Sequence, residues 1–376
     1  MVTGDYTGEY LEKGIWRNFD FALLGIALLL CLIGVISIYS ANMNTGSTFQ
    51  QGLYIRQMYW IALSVAAMFI VILIDYHFLE RIAYPLYIVS VFSLIVVDMV
   101  GKVASGSQRW LSLGGYNLQP SEFIKIVIII LLARMMDDLE KEEKLGFREL
   151  LKPAFFVAIP FLMVARQPDL GTASFYLLVF ASIVLFTGLA KRTFFIISGG
   201  LAVLAPIFWF MLKPYQKSRI LTTLNPEADP MGHGYQTIQS KIAVGSGGFW
   251  GKGIFEGTQS KLNFLPAKHT DFIFSVVAEE VGFLGSFVLI VIFFFLIMRL
   301  LEISLRARDK FGSVAVFGIC AMISFNILYN IGMALGLFPI VGIPLPFISY
   351  GGSSLITNFI GIGLAINISL RKFRVE

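Results

Sequence analysis

Phe21-Ala-Leu-Leu-Gly-Ile-Ala-Leu-Leu-Leu-Cys-Leu-Ile-Gly-Val-Ile-Ser-Ile-Tyr39 holds no charged residue. A helix of about 20 apolar residues, rising about 1.5 Å per residue, covers the roughly 30 Å of a bilayer's hydrocarbon. Runs of the same kind recur at 58–74, 83–101, 123–136, 153–165, 172–189, 193–212, 272–300, 311–335 and 348–370. Charged residues make up only 14% of the 376 and hydrophobic ones 57%, where soluble domains carry about 25% charge. No soluble core hides that much apolar surface. The sequence therefore predicts an all-α polytopic integral membrane protein, a single domain over 1–376 with about ten transmembrane helices. Neither a soluble enzyme nor a nucleic-acid binder fits this composition.

Ten spans place both termini on one side, and the Lys/Arg bias says which. Lys13 and Arg17 precede the first span; Arg371, Lys372 and Arg374 follow the last. On the same side fall Arg134, Lys141, Lys144, Arg148 and Lys152, then Lys191 and Arg192, then Arg299, Arg306, Arg308 and Lys310. That side is cytoplasmic, and the long loop 213–270, between spans seven and eight, is extracytoplasmic. The first run is too long for a cleaved leader and lacks a small-residue cleavage pattern, so it reads as a retained span. Cys31 and Cys320 sit in apolar runs as packing residues, and His77, His233 and His269 have no zinc spacing.

The long loop carries Lys213, Lys217, Arg219, Lys241, Lys252, Lys261 and Lys268 against Glu227, Asp229 and Glu256. That positive surplus suits an anionic ligand. Loops of such length are functional or contain elements of their own. Tyr235, Ile238 and Ile242 recur at i, i+3 and i+7, which predicts a short amphipathic helix over about 234–244 at the membrane surface. Gly245-Ser-Gly-Gly-Phe-Trp-Gly-Lys-Gly253 imitates a phosphate loop, but its spacing is wrong and no hydroxyl residue follows the lysine. A nucleotide site of that type is excluded.

An ionisable side chain at mid-membrane costs about 2.5–3.5 kcal/mol on insertion scales, so each needs a partner or a purpose. In Gln119-Pro-Ser-Glu-Phe-Ile-Lys125, Ser121 can cap the fourth span, Glu122 suits its positive end, and Lys125 follows Glu122 at i+3. In Arg166-Gln-Pro-Asp-Leu-Gly-Thr172, Asp169 precedes a span as a cap or as a functional group. Arg56 and Arg109 lie in outer loops near span ends, where arginine often anchors to the interface. Within Leu265-Pro-Ala-Lys-His-Thr-Asp-Phe-Ile-Phe274, Asp271 stands at the membrane surface as cap or reactive carboxylate, expected at the ordinary pKa of about 3.9. Glu279 and Glu280 follow below the surface and need partners or water. Phe338-Pro-Ile-Val-Gly-Ile-Pro-Leu-Pro-Phe-Ile-Ser-Tyr-Gly-Gly-Ser-Ser354 breaks the last two spans, which is tolerated where protein or a wet cavity covers the backbone. Asn326, Asn330 and Asn358 read as interhelical hydrogen bonders.

Six blocks in order resemble the SEDS family (shape, elongation, division and sporulation) from about residue 19 to 371. They are Gln119-Pro-Ser-Glu122 with Lys125; Gln167-Pro-Asp-Leu-Gly-Thr172; Lys213-Pro-Tyr-Gln216 with Arg219; Gly234-Tyr-Gln236 with Gln239-Ser240; His269-Thr-Asp-Phe-Ile-Phe274 with Glu279-Glu280; and Pro344 to Ser354. Gly257-Thr-Gln-Ser260 before Leu265-Pro266 is similar to the elongation branch rather than the division branch. Ala267 departs from the family, where Glu is usual; the His-Thr-Asp run beside it is intact.

The resemblance implies a peptidoglycan glycosyltransferase of the bacterial cytoplasmic membrane, serving cell elongation and rod shape. It would join lipid II disaccharides into β-1,4 glycan and release undecaprenyl diphosphate, beside a class B penicillin-binding protein that cross-links the product. An α-linked diphosphate becoming a β linkage inverts C1, so one displacement and one carboxylate base suffice. By resemblance Asp271 is that base. The leaving diphosphate needs positive charge, for which Arg56, Arg109, Lys125, Lys213 and Arg219 are candidates. Glu122, Asp169, His269, Glu279 and Glu280 complete the expected substrate-binding set. A divalent cation, Mg2+ or Mn2+, could assist, though the sequence shows no closed metal cage. Two alternatives stay open on the residues alone: a lipid II flippase, since buried charges and broken helices also mark transport routes, and a non-catalytic scaffold in which Asp271 only caps a helix.

Overall fold

The structure is a computed structural model that describes residues 19–43, 48–104, 107–113, 116–139, 144–167, 169–212, 214–230, 232–262 and 264–371. Lys13, Arg17, Lys141, Lys213, Lys372 and Arg374 lie outside them. The long helices are α1 (Phe21–Asn42), α3 (Leu53–Leu73), α5 (Ala83–Val100), α6 (Pro120–Asp138), α7 (Phe147–Arg166), α8 (Leu170–Thr187), α9 (Lys191–Met211), α13 (Ile273–Leu305), α14 (Lys310–Ala334) and α15 (Gly352–Arg371). Shorter ones are α2 (Thr48–Gln51), α4 (Tyr76–Arg81), α10 (Pro214–Leu224), α11 (His233–Ser246) and α12 (Thr258–Lys261).

Each expected span has its long helix, and eight of them are apolar enough to cross a membrane by length and composition. The other two are α6, which carries Glu122, Lys125 and Arg134, and α7, which carries Arg148, Glu149 and Lys152. In α6 every residue from Ile124 to Ala133 is buried, the pattern of a helix enclosed by protein on all sides. Around it pack α5, α8, α14 and α15, and α15 in turn packs along α3. By contrast α9 exposes nearly all of its apolar surface.

Ion pairs tie alternate helix ends into one face. Arg299 on α13 meets Asp20 before α1 at 2.7 Å, and Arg134 on α6 meets Glu80 on α4 at 2.7 Å. Arg371 at the end of α15 pairs with Asp75, and the Tyr76 hydroxyl donates to Asp309 before α14. The opposite face holds the long loop.

That loop is built, not slack. The predicted helix appears as α11, and one face of it docks on protein: the Ser240 hydroxyl sits 2.7 Å from that of Ser275 on α13 and donates to the Ala334 carbonyl at 2.6 Å. The glycine run 245–253 serves a break in α13 at Gly282 (φ 65°, ψ −163°). In an unbroken helix the amides of Phe283 and Leu284 would bond the carbonyls of Glu279 and Glu280. Here they donate to Gly248 and Phe249 at 2.9 and 3.1 Å, while those two carbonyls accept from Lys252 and Gly253 at 3.0 Å each. All four groups freed by the kink are thus satisfied by the glycine run, as buried backbone requires.

A second element escaped the sequence reading. Strands β1 (Lys102–Ala104), β2 (Ser107–Leu113) and β3 (Tyr116–Leu118) form a small antiparallel sheet in the order β1-β2-β3 between α5 and α6. Leu111 pairs with Leu118 and Leu113 with Tyr116. The dipeptides Ser105-Gly106 and Gly114-Gly115, both two-residue turn signals, stand between the strands in sequence.

Candidate active site

Asp271 lies just ahead of α13, on the face of the molecule opposite the ion-paired helix ends. It does not cap that helix: the N-cap is Phe272, with no side-chain cap bond. Its backbone is held instead. The Asn330 amide on α14 donates to the Asp271 carbonyl at 2.9 Å and to the Ile343 carbonyl at 2.7 Å. Ser349 donates to the Thr270 carbonyl at 2.6 Å, and the Tyr350 amide donates to the His269 carbonyl at 2.9 Å. So the segment 343–350, broken by proline and glycine as expected, clamps 269–271 from one side. The expected start of the last span near 348 moves to Gly352, because Ser349 closes a turn by accepting from the Leu345 amide at 2.8 Å.

Gly342 (φ 75°) faces the carboxylate: a Cβ there would stand 3.5 Å from Asp271 Oδ2. Gly171 at the start of α8 lets that helix close on the same segment, since a Cβ would fall 2.8 Å from the Val341 Cβ. Two glycines therefore bring the ends of α8 and α13 to one strip of backbone.

Burial pushes the Asp271 carboxyl up to about 6, against the opposing pulls of the Thr270 hydroxyl and the Arg109 charge. The ordinary value expected from sequence is corrected, and the cause is desolvation. Burial and the Lys268 charge push His269 down to about 4, so its ring is neutral near pH 7. Burial also lowers Lys268 to about 8.

Arg109 sits on β2, and its guanidinium meets Asp169 at 2.8 Å. Asp169 caps α8, as the sequence allowed, accepting from the Thr172 amide at 3.1 Å, and its carboxylate also holds Arg109. Gln119 reaches the same carboxylate at 3.5 Å. Lys125 and Glu122 pair at 2.7 Å, both buried in α6. Ser121 does not cap α6. The N-cap is Gln119, and the Ser121 hydroxyl is buried without a hydrogen-bond partner.

Other predicted residues stand elsewhere. Glu279 is fully buried, and one of its oxygens accepts from Lys252 Nζ at 2.7 Å, the Thr258 amide at 2.8 Å, the Thr258 hydroxyl at 2.9 Å and the Gln259 amide at 3.0 Å. Glu280 accepts from the Ser40 hydroxyl on α1. Both carboxylates anchor the loop and the first helix rather than facing Asp271. Arg56 lies exposed with its guanidinium 4.3 Å from the Phe49 ring centre, and Arg219 lines a separate cavity in the long loop. Among the described residues no three His, Cys, Asp or Glu side chains converge to hold a metal ion. Gly342 is a supporting residue that sequence reasoning did not place, and its position between two prolines was the available signal; Asn330, read as an interhelical hydrogen bonder, holds the Asp271 and Ile343 carbonyls.

Ten long apolar helices with a half-buried carboxylate and a guanidinium gathered at one end define a polytopic membrane protein with a polar site at the bilayer edge. A family model described as cell cycle protein, FtsW/RodA/SpoVE, matches residues 21–373, and the chain belongs to that family. Peptidoglycan glycosyltransferase MrdB of Escherichia coli K12 is 38% identical over 371 residues, 96% of each chain. A probable peptidoglycan glycosyltransferase FtsW of Trichlorobacter lovleyi is 37% identical over 363 residues, 94% of this chain and 93% of that one. Among solved structures, a chain from work on coordination of polymerization and crosslinking by a peptidoglycan synthase complex has a TM-score of 0.81 at 31% identity, covering 95% and 99% of the two chains. The rod-shape-determining protein RodA of Thermus thermophilus has a TM-score of 0.71 at 26% identity, covering 95% and 98%.

Proposed function

We propose that this protein polymerises peptidoglycan, joining lipid II disaccharides into β-1,4 glycan chains with undecaprenyl diphosphate leaving, and that Asp271 is the catalytic base. The observation that carries the assignment of Asp271 is its carboxylate, free of any capping duty and facing the bare Cα of Gly342, on a backbone clamped by α14 and the 343–350 segment. A substrate hydroxyl arriving there gives its proton to Asp271 as its oxygen attacks C1. Inversion at C1 leaves diphosphate as an anion, and Arg109, steadied by Asp169, supplies charge toward it. Arg219 and Arg56 add positive charge to the same outer face, and the lipid tails lie among the spans.

The MrdB and FtsW relatives are named for this transfer, which favours it over a flippase or a scaffold. The structure related through a synthase complex supports a cross-linking partner, which we assign to the class B penicillin-binding proteins. We further propose that the face carrying Arg134, Arg299, Arg306 and Arg371 is cytoplasmic, by the positive-inside bias.

The test is polymerisation by the purified complex with its penicillin-binding partner on lipid II in detergent, where a flippase has no second side to reach. Wild type should yield glycan chains. Asp271→Asn, folded and partner-bound, should lose about 10²- to 10⁴-fold in rate, the usual cost of a missing general base. Polymer made equally well by the variant overturns the role of Asp271.

A further inference from the structure

Helices α10 and α11 enclose a cavity of about 130 Å³ that no step above uses. Arg219, Thr222 and Thr223 line it from α10, Gln236 and Thr237 from α11, and Ile340 closes it from the segment after α14. That segment is fixed: the Tyr329 hydroxyl donates to the Pro339 carbonyl at 3.2 Å, and the Tyr329 and Phe338 rings stack at 5.1 Å. Two residues beyond Ile340 stands Gly342, whose Cα faces Asp271. Two extended residues span at most about 7 Å, and a Cβ at Gly342 would stand a further 3.5 Å from Asp271 Oδ2, so the cavity wall lies within about two sugar rings of the reactive carboxylate.

The lining chemistry identifies the occupant. The Thr222 hydroxyl donates to the Ser218 carbonyl at 2.6 Å, and that of Thr223 donates to the Arg219 carbonyl at 2.8 Å. With their protons committed, both present only lone pairs to the cavity. A phosphate cannot use a lone pair; a sugar hydroxyl can donate to one. Gln236 offers an amide able to donate and accept. Among the described residues Arg219 is the one cation in the lining, and the Asp229 carboxylate lies against Gly232 at the cavity's edge. A dianion would be poorly matched to this set, whereas a neutral, hydroxyl-rich ring against Ile340 matches it.

We propose that this cavity is a saccharide subsite that seats a pyranose ring of the glycan within two rings of the bond formed at Asp271. It rests on the polymerase reading above, and it makes the long loop a determinant of chain length. The experiment uses the full-length protein with its penicillin-binding partner and labelled lipid II, with products resolved by length. Thr222→Val with Thr223→Val keeps the shape of both side chains and removes their lone pairs; loss of two such hydrogen bonds should cut long products relative to short ones about tenfold. Thr222→Ser with Thr223→Ser should restore the wild-type distribution. In parallel, Thr223→Cys in the same complex should be protected from a thiol reagent by chitotetraose, a β-1,4 N-acetylglucosamine tetramer. Wild-type length distributions in the valine variant, loss of all lengths in equal proportion, or a cysteine that labels equally with and without chitotetraose would each overturn the subsite. A wild-type complex that makes no polymer overturns the polymerase reading itself.

Discussion

At the scale of the residue, the raised pKa of Asp271 has a direct kinetic consequence. A carboxylate base works only when ionised, and burial holds this one near 6, so below that pH the folded protein carries a protonated, inactive Asp271. Polymerisation by the purified complex should rise with pH through about 6 and level off above it; a flat profile between pH 5 and 7 would remove Asp271 from the proton transfer. Asp169 gives a second test, because its two duties separate by substitution. Asn caps a helix about as well as Asp but cannot neutralise Arg109, so Asp169→Asn should keep the melting temperature while lowering activity about 10²-fold, the scale of a misplaced positioning group. Full activity in that variant would leave the cap as its only role. The sequence named Asp169 and Asp271, since a charge beside an apolar run demands an explanation. It flagged the broken 338–354 stretch but not that this strip joins them, because Gly171 and Gly342 matter through what they lack, and pattern reading sees only side chains that are present.

At the scale of the element, the break in α13 shows how far periodicity carries. The apolar run 272–300 predicted one helix, and one helix forms, but Gly282 interrupts its ladder without interrupting its hydrophobicity. The glycine run 245–253 was legible as something other than a nucleotide loop; its real task, bonding four backbone groups of another helix, is a long-range pairing that no local spacing encodes. The small β-sheet escaped for a related reason, as its strands are too short for alternation to stand out. The glycines of the run are not interchangeable. A Cβ at Gly251 (φ 82°) would fall 2.1 Å from the Glu280 carbonyl oxygen, whereas Gly245 has open space around its Cα and a helical backbone. Gly251→Ala should destabilise the detergent-solubilised protein by about 1–3 kcal/mol or more, from a clash with rigid backbone and a strained φ. Gly245→Ala should be neutral or stabilising by up to about 1 kcal/mol, as alanine favours helix over glycine. Equal melting temperatures for the two would show that the run does not clasp the kink.

At the scale of the whole molecule, the two faces follow from one rule of alternation. Helix ends that share a face also share ion pairs, from Asp20 with Arg299 to Asp75 with Arg371, while Asp271, Arg109 and the long loop sit at the opposite ends of the same helices. The spans were legible because lipid imposes a length on every helix that meets it, and the hardest to see was α7, whose apolar run 153–165 is short. Orientation depends on a different force, the retention of Lys and Arg on the cytoplasmic side, and it decides whether the site meets lipid II on the side where glycan is built. Glu256 and Arg306 are both exposed and lie on opposite faces, whereas the neighbouring Gly257 is buried. Cys31 and Cys320 are buried and should add little background. A membrane-impermeant maleimide applied to intact cells stripped of their outer layers should therefore label Glu256→Cys at once and Arg306→Cys only after permeabilisation. The reverse pattern would turn the molecule over, placing Asp271 on the cytoplasmic side, and extracytoplasmic polymerisation would then have to be abandoned even if the purified complex made polymer in detergent.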